Sequence, residues 1–350
     1  MKTRTLLLAV LAILFLVACN QQSSKDQSEN KQTEEISQED QALLAKAQAL
    51  FKPLPQIAEN KDNPITPEKV ALGKALYYDT RLSKDENISC NSCHNLETYG
   101  VDNLATSPGD EGENGDRNSP TVLNAALHFV QFWDGRAKDV EEQAGGPILN
   151  PVEMAIPSEE FLIDRLSDIE EYQIMYAEAF PNEDSPLTYN NTQKAIGVFE
   201  RTLLTPSSFD DYLNGDIKAI NTKQKQGMVA FMDQGCITCH MGVLLGGNMY
   251  HKFGIYDDYW KHTKSENIDE GLSDVSGNET QKFMFKVPSL RNIEKTFPYY
   301  HDGSVAELDE SIKIMAVTQL DKELTDEQIS DIGAFLESLT GNVPQQALMN

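Results

Sequence analysis

The pattern of apolar and polar positions divides the chain into three unequal parts. Leu6 to Ala18 is an unbroken apolar run of thirteen residues preceded by Lys2 and Arg4. That is short of the ~20 residues needed to cross a bilayer and fits the apolar segment of an export signal, residues 1–18. Asn20 to Gln41 contains one apolar residue, Ile36, among Gln, Ser, Asn, Lys, Asp and Glu. Such a stretch cannot bury enough surface to offset ordering, so residues 19–41 read as a flexible tether. From there on, apolar positions recur at helical spacing over Asp40–Phe51, Ser158–Phe180, Asn191–Leu204, Val305–Leu320 and Thr325–Leu339. The last opens with a capping box, Thr325-x-x-Gln328. Two further helices share one frame, Gly-x-x-x-aromatic-x-Asp, at Gly73–Asp79 and Gly227–Asp233. Thr66 and Pro67 supply the start of the first, and Asn221-Thr222 that of the second. No long strand alternation is present, and the loops Ser107–Asn118 and Tyr256–Glu279 are rich in Gly, Pro and Asp. The expectation is a mainly α protein with long loops, little β and an internal duplication.

The 350 residues suffice for two domains of ~150 residues each. Twenty-nine Lys and Arg against 55 Asp and Glu give a net charge of −26. This excludes a nucleic-acid partner, which requires a basic face, and favours a basic docking partner. Leu16-Val17-Ala18-Cys19 is similar to the lipobox of bacterial lipoproteins. That resemblance implies cleavage before Cys19, lipidation of its sulfur, and a membrane-anchored protein on the periplasmic or cell-surface side.

The other four cysteines fall into Cys90-Asn-Ser-Cys93-His94 and Cys236-Ile-Thr-Cys239-His240. Cys-x-x-Cys-His is the attachment pattern of c-type haem. Two thiols on one turn add to the two vinyl groups on one edge of the porphyrin, and the next imidazole faces the iron. A zinc site would need the two motifs, 146 residues apart, to meet. A thioredoxin-like pair has no use for the following His in both copies. The expectation is two covalent haems, one in residues 42–205 and one in residues 206–341, with a tail over 342–350. Met315, 75 residues beyond His240, suits the far side of the second iron, where a thioether raises the potential. Taken alone it also reads as a core methionine on an amphipathic helix.

Further blocks are Arg117-Asn-Ser-Pro-Thr-Val-Leu-Asn124, Gln131-Phe-Trp-Asp-Gly-Arg136 with Glu142-Gln143-Ala144 and Pro151-Val-Glu-Met154, and Phe285-Lys-Val-Pro-Ser-Leu-Arg-Asn292 with Pro298-Tyr-Tyr-His-Asp-Gly303. With these, the chain from about Pro53 to Gly341 resembles the bacterial di-haem cytochrome c peroxidases. The resemblance implies two cytochrome c-like domains. His94 would hold the peroxidatic haem, and His240 with Met315 the electron-accepting one. Trp133 would lie between them as an electron bridge, Glu153 and Gln143 would flank the peroxide, and His301 would meet a haem propionate. Asn118, Thr296 and Pro298 match the family's calcium site. The implied partners are hydrogen peroxide and a small donor, a cytochrome c or cupredoxin, and family members often form homodimers. Glu153, set among Pro151, Val152 and Met154, is also suited on its own chemistry to move a proton, if burial lifts its pKa.

One position departs from the family. Its loop histidine, which caps the resting peroxidatic iron, is replaced in Ser107-Pro-Gly-Asp110 by an aspartate. The loop reads as mobile, and the resting iron is either open or held by a different group, such as another loop ligand or a shifted His128. His128 reads as a packing or surface residue in a helical run, and His251 and His262 are assigned no role. Two alternatives to the peroxidase remain. One is a di-haem oxygenase or cofactor-maturing enzyme of the methylamine-utilisation type, whose members carry Tyr where Met315 stands. The other is a non-enzymatic di-haem electron carrier.

Overall fold

A computed structural model describes residues 37–349; the export signal, Cys19 and most of the tether lie outside them. The longer helices are α1 Gln38–Leu50, α2 Pro67–Tyr78, α3 Val140–Leu149, α4 Glu159–Ser167, α5 Glu170–Ala179, α6 Tyr189–Glu200, α7 Thr222–Gln234, α8 Leu308–Leu320 and α9 Asp326–Glu337. Two three-residue strands, β1 Tyr250–Lys252 and β2 Met284–Lys286, pair antiparallel, with Tyr250 opposite Lys286. The protein is mainly helical, as the periodicity predicts. The caps are local and fall where the sequence puts them. Thr66 accepts from Lys69 N–H, and Thr325 and Gln328 bond reciprocally.

The shared Gly-x-x-x-aromatic frame has a packing reason. A Cβ on Gly73 would lie 1.9 Å from the Ala195 carbonyl oxygen of α6, and one on Gly227 would lie 1.7 Å from that of Asp331 in α9. Each glycine lets two helices cross at backbone contact. Four residues on, each aromatic meets the partner helix, Tyr77 on Phe199 (5.2 Å) and Phe231 on Phe335 (5.3 Å). One helix pair, α2 with α6 and α7 with α9, is therefore built twice.

Two apolar clusters carry these pairs. Leu72, Leu76, Ile148, Leu162, Tyr176 and Ile196 unite α2 to α6, while Phe209, Met228, Phe231, Ile332 and Phe335 form the core of the second half. The two ends of the described residues cross over between them. Residues 42–51 pack on the second core through Ala47 and Phe51. Residues 342–349 pack on the first half, where Ala347 joins Tyr77 and Phe199 and Lys74 donates to the Gln346 and Leu348 carbonyls. The apolar face of α1 finds its complement in the Phe209–Phe231–Phe335 group, which chain order does not reveal. Helix α1 also begins at Gln38, inside the expected tether, because Ser37 caps it and Lys225 pairs with Asp40 at 2.7 Å. The expected helix Ser158–Phe180 is broken near Ser167, so that Leu162 and Leu166 on α4 and Tyr172 and Tyr176 on α5 enter one core.

Candidate active site

Each Cys-x-x-Cys-His forms a single tight turn. Gly235, at φ +101°, ends α7 and starts the turn Cys236–Thr238, and His240 N–H returns to the Cys236 carbonyl at 3.0 Å. Cys90–Cys93 is one helical turn with a Ser89–Ser92 capping box, and His94 N–H bonds the Cys90 carbonyl at 2.9 Å. Burial pushes the thiols up, Cys90 to about 12 and Cys93 and Cys236 to about 11. Reactive redox thiols shift the other way. All four are free, and among the described residues no three His, Cys, Asp or Glu converge as a metal site.

The second motif opens on a cavity of about 530 Å³, lined by Cys236, Cys239 and His240 and, from α8, by Met315. His240 Nδ1 lies 2.9 Å from the Leu245 carbonyl, and burial lowers its pKa to about 4. The ring is therefore neutral with its proton on Nδ1, and Nε2 keeps a free lone pair, as a metal-binding imidazole requires. Two thiols, an imidazole and a thioether lining one cavity are a donor set that fits a covalent haem. At the first motif, His94 is lowered by burial and its Nδ1 is enclosed without a partner, while its carbonyl accepts from Tyr77 at 2.5 Å.

Between the halves lies a second, tighter repeat. Gln131 bridges Ala137 around Phe132 (φ +64°), Trp133, Asp134 and Gly135 (φ +72°). Tyr299 bridges Val305 around Tyr300 (φ +73°), His301, Asp302 and Gly303 (φ +61°). Trp133 and His301 hold the same place in these turns, with ring centroids 6.4 Å apart. Each turn accepts one backbone bond from the other half, Lys286 N–H to the Trp133 carbonyl (2.8 Å) and Asn118 N–H to the His301 carbonyl (2.7 Å). Trp133 Nε1 donates to the Asn118 carbonyl at 2.9 Å. His301 stacks on Phe285 at 4.3 Å and leaves Nε2 buried without a partner. Asn118, Thr296 and Pro298 all line this cavity, and Asn118 Nδ2 donates to the Leu104 carbonyl at 2.9 Å.

The family model for di-haem cytochrome c peroxidase matches residues 67–218. The chain is 44% identical to the cytochrome c551 peroxidase of Pseudomonas aeruginosa over 306 residues, 87% of this chain and 88% of that one. It is 44% identical to the cytochrome c551 peroxidase of Nitrosomonas europaea over 80% of this chain and 83% of that one. The chain belongs to the di-haem cytochrome c peroxidase family. Membership implies two c-type haems, which the two motifs accommodate. The methylamine utilization protein MauG of Methylorubrum extorquens is more distant, 33% identical over 88% of this chain and 87% of its own length. A crystal structure of a MauG-like protein associated with microbial copper homeostasis superposes with a TM-score of 0.71 at 27% identity, covering 83% of this chain and 94% of that one.

In this peroxidase-family chain α3 carries Gln143, half-buried and without a side-chain hydrogen bond, and runs into the turn that bears Glu153. Burial raises the Glu153 pKa against the opposing Arg136 charge and a 3.1 Å bond from Asn150. The Asp110 loop is anchored, contrary to the expected mobility. Asp110 N–H donates to the Glu153 carbonyl (2.7 Å), its Oδ2 accepts from Asp85 N–H (3.0 Å), and its carbonyl accepts from Asn87 (3.0 Å). A Cβ on Gly109 would lie 2.0 Å from the Val152 carbonyl oxygen, so the loop lies directly on the Glu153 turn.

His128 is not in a helical run. It follows the 3-10 turn Ala125–Leu127 and lines the second motif's cavity, with Nδ1 2.9 Å from Lys286 Nζ. Sequence reasoning missed Lys286 altogether; a lysine inside Phe285-Lys-Val-Pro, otherwise apolar, was its one signal. His262 pairs with Asp257 at 2.9 Å.

Proposed function

We propose that this chain reduces hydrogen peroxide to water, with two electrons and two protons consumed for each peroxide and the electrons drawn from a small redox protein. The reading is carried by the asymmetry of the two motifs. His240 and Met315 line one cavity, whereas the first half offers a half-buried carboxylate of raised pKa, Glu153. A haem covalently held at each motif would supply a redox-active iron.

His94 would hold the haem of the peroxidatic site, and His240 and Met315 would hold that of the electron-accepting one. Glu153 takes the proton from one peroxide oxygen and returns it to the other, and its raised pKa makes it the stronger base for that transfer. Gln143 orients the peroxide. Trp133, whose carbonyl accepts from Lys286 N–H and whose Nε1 donates to the Asn118 carbonyl, is the electron bridge, and His301 would contact a propionate. Asn118, Thr296 and Pro298 would hold a calcium ion through hard oxygen atoms at the seam. Met315 favours the peroxidase over the methylamine-utilisation type, and Glu153 favours an enzyme over a carrier. Each half forms one haem domain. The chain is exported and lipidated at Cys19, which sets it on the periplasmic or cell-surface side. Its acidic surface suits a basic donor, a cytochrome c or cupredoxin, and it pairs as a homodimer.

The test is turnover with a reduced cytochrome c or cupredoxin as donor, alongside haem staining of Cys93→Ala and Cys239→Ala. Each variant retains one covalent haem per chain and loses peroxide turnover. Two haems in either variant, or peroxide-independent oxidation of the donor, would sink the assignment.

A further inference from the structure

Lys286 is almost completely buried, and its ammonium has one hydrogen-bonding neighbour, His128 Nδ1 at 2.9 Å. That neighbour is neutral in charge terms, since burial and the adjacent lysine both lower the His128 pKa. Asp134 is the carboxylate that acts on Lys286 from further off, and it is already engaged by Arg117 and Arg136. A buried cation without its own counter-ion is costly, and burial accordingly lowers Lys286 to about 7.

The imidazole carries a matching requirement. When the ammonium donates to Nδ1, the ring proton sits on Nε2, and among the described residues Nε2 is enclosed with no partner. One spot on the cavity wall thus presents a cation lacking an anion and an N–H lacking an acceptor. Both residues line the cavity that the Cys236, Cys239 and His240 turn opens on. They arrive from opposite halves, 158 positions apart, and Lys286 stands six residues before Asn292 as Asn118 stands six before Asn124.

We propose that Lys286 and His128 together bind a carboxylate of the haem held at Cys236 and Cys239, and so set that haem's potential and bind it across the seam. This rests on the haem assignment above. A carboxylate is the acceptor for both groups. It restores the ammonium, and a fixed positive charge beside the haem favours the ferrous over the ferric state.

The test is a redox titration of the full haem-loaded chain, reading the two haems separately. Lys286→Gln shifts the methionine-ligated haem's midpoint negative and leaves the other haem unmoved, while Lys286→Arg stays close to the parent. His128→Leu gives a smaller negative shift at the same haem, and it decides the matter if Lys286→Gln fails to fold. Unchanged midpoints in His128→Leu and Lys286→Gln, equal shifts in the Gln and Arg variants, or a shift confined to the first haem would each overturn the proposal. Absence of a covalent haem at the second motif in the parent protein would instead defeat the functional reading beneath it.

Discussion

Asp110 stands where the family resemblance implies an iron-capping histidine, and the structure gives it a different occupation. Its Oδ2 takes the Asp85 N–H, and its own N–H is bonded to the Glu153 turn. Asp110→His removes the acceptor of the part-buried Asp85 N–H, which costs about 0.5–1.5 kcal/mol. That favours release of the loop by roughly 2- to 13-fold. It also places an imidazole, a strong haem ligand, on the loosened segment. The apparent affinity for peroxide falls with the fraction of open iron. Rapid mixing of fully oxidised protein with peroxide, followed optically, reads this directly. The parent chain reacts without prior reduction and at the same rate after one-electron reduction. Asp110→His reacts slowly until reduced, and Asp110→Asn, whose side-chain oxygen can still accept from Asp85, behaves as the parent. Parent protein that is inert until reduced, or an Asp110→His variant as fast as the parent in the oxidised state, would refute the reasoning.

Three other outcomes are expected. Because burial raises the Glu153 pKa, its carboxylate is protonated as the pH falls through that raised value, so kcat/KM for peroxide declines on an acid limb lying above the ordinary carboxylate range. Glu153→Gln removes the limb and about 10²- to 10⁴-fold of rate, and Arg136→Ala, which deletes the opposing charge, moves the limb to higher pH. Met315→His lowers the midpoint of the second haem, since imidazole favours ferric iron more than a thioether does; an unshifted redox titration would remove Met315 from the iron. Chelation of calcium slows electron transfer between the haems and lowers activity, with re-addition restoring both; full activity in a protein shown by elemental analysis to be calcium-free would exclude the site.

The sequence alone determines what is governed by neighbours a few residues apart. Thioether attachment requires two thiols and an imidazole on one turn, so both haem motifs are readable as strings. Caps are equally local, and Thr66, Asn221 and Thr325 each start a helix where the side chain can reach the third N–H. The frame of Gly73 and Gly227 is visible too, although its reason, two helices crossing at backbone contact, requires α6 and α9.

Tertiary structure decides everything that depends on distant partners. It carries α1 to the second core and the tail to the first, because the complementary apolar faces lie far away in the chain. It makes an ordered loop of an acidic, glycine-rich one by supplying Glu153, Asp85 and Asn87 as partners. The equivalence of Trp133 and His301 rests on a frame of only four residues, aromatic-x-Asp-Gly at Phe132–Gly135 and Tyr300–Gly303, and it is the matching left-handed positions and flanking bridges that make the two turns the same. Lys286 and His128 meet because the seam joins residues 158 apart, and the burial that sets their chemistry exists only once both halves have packed.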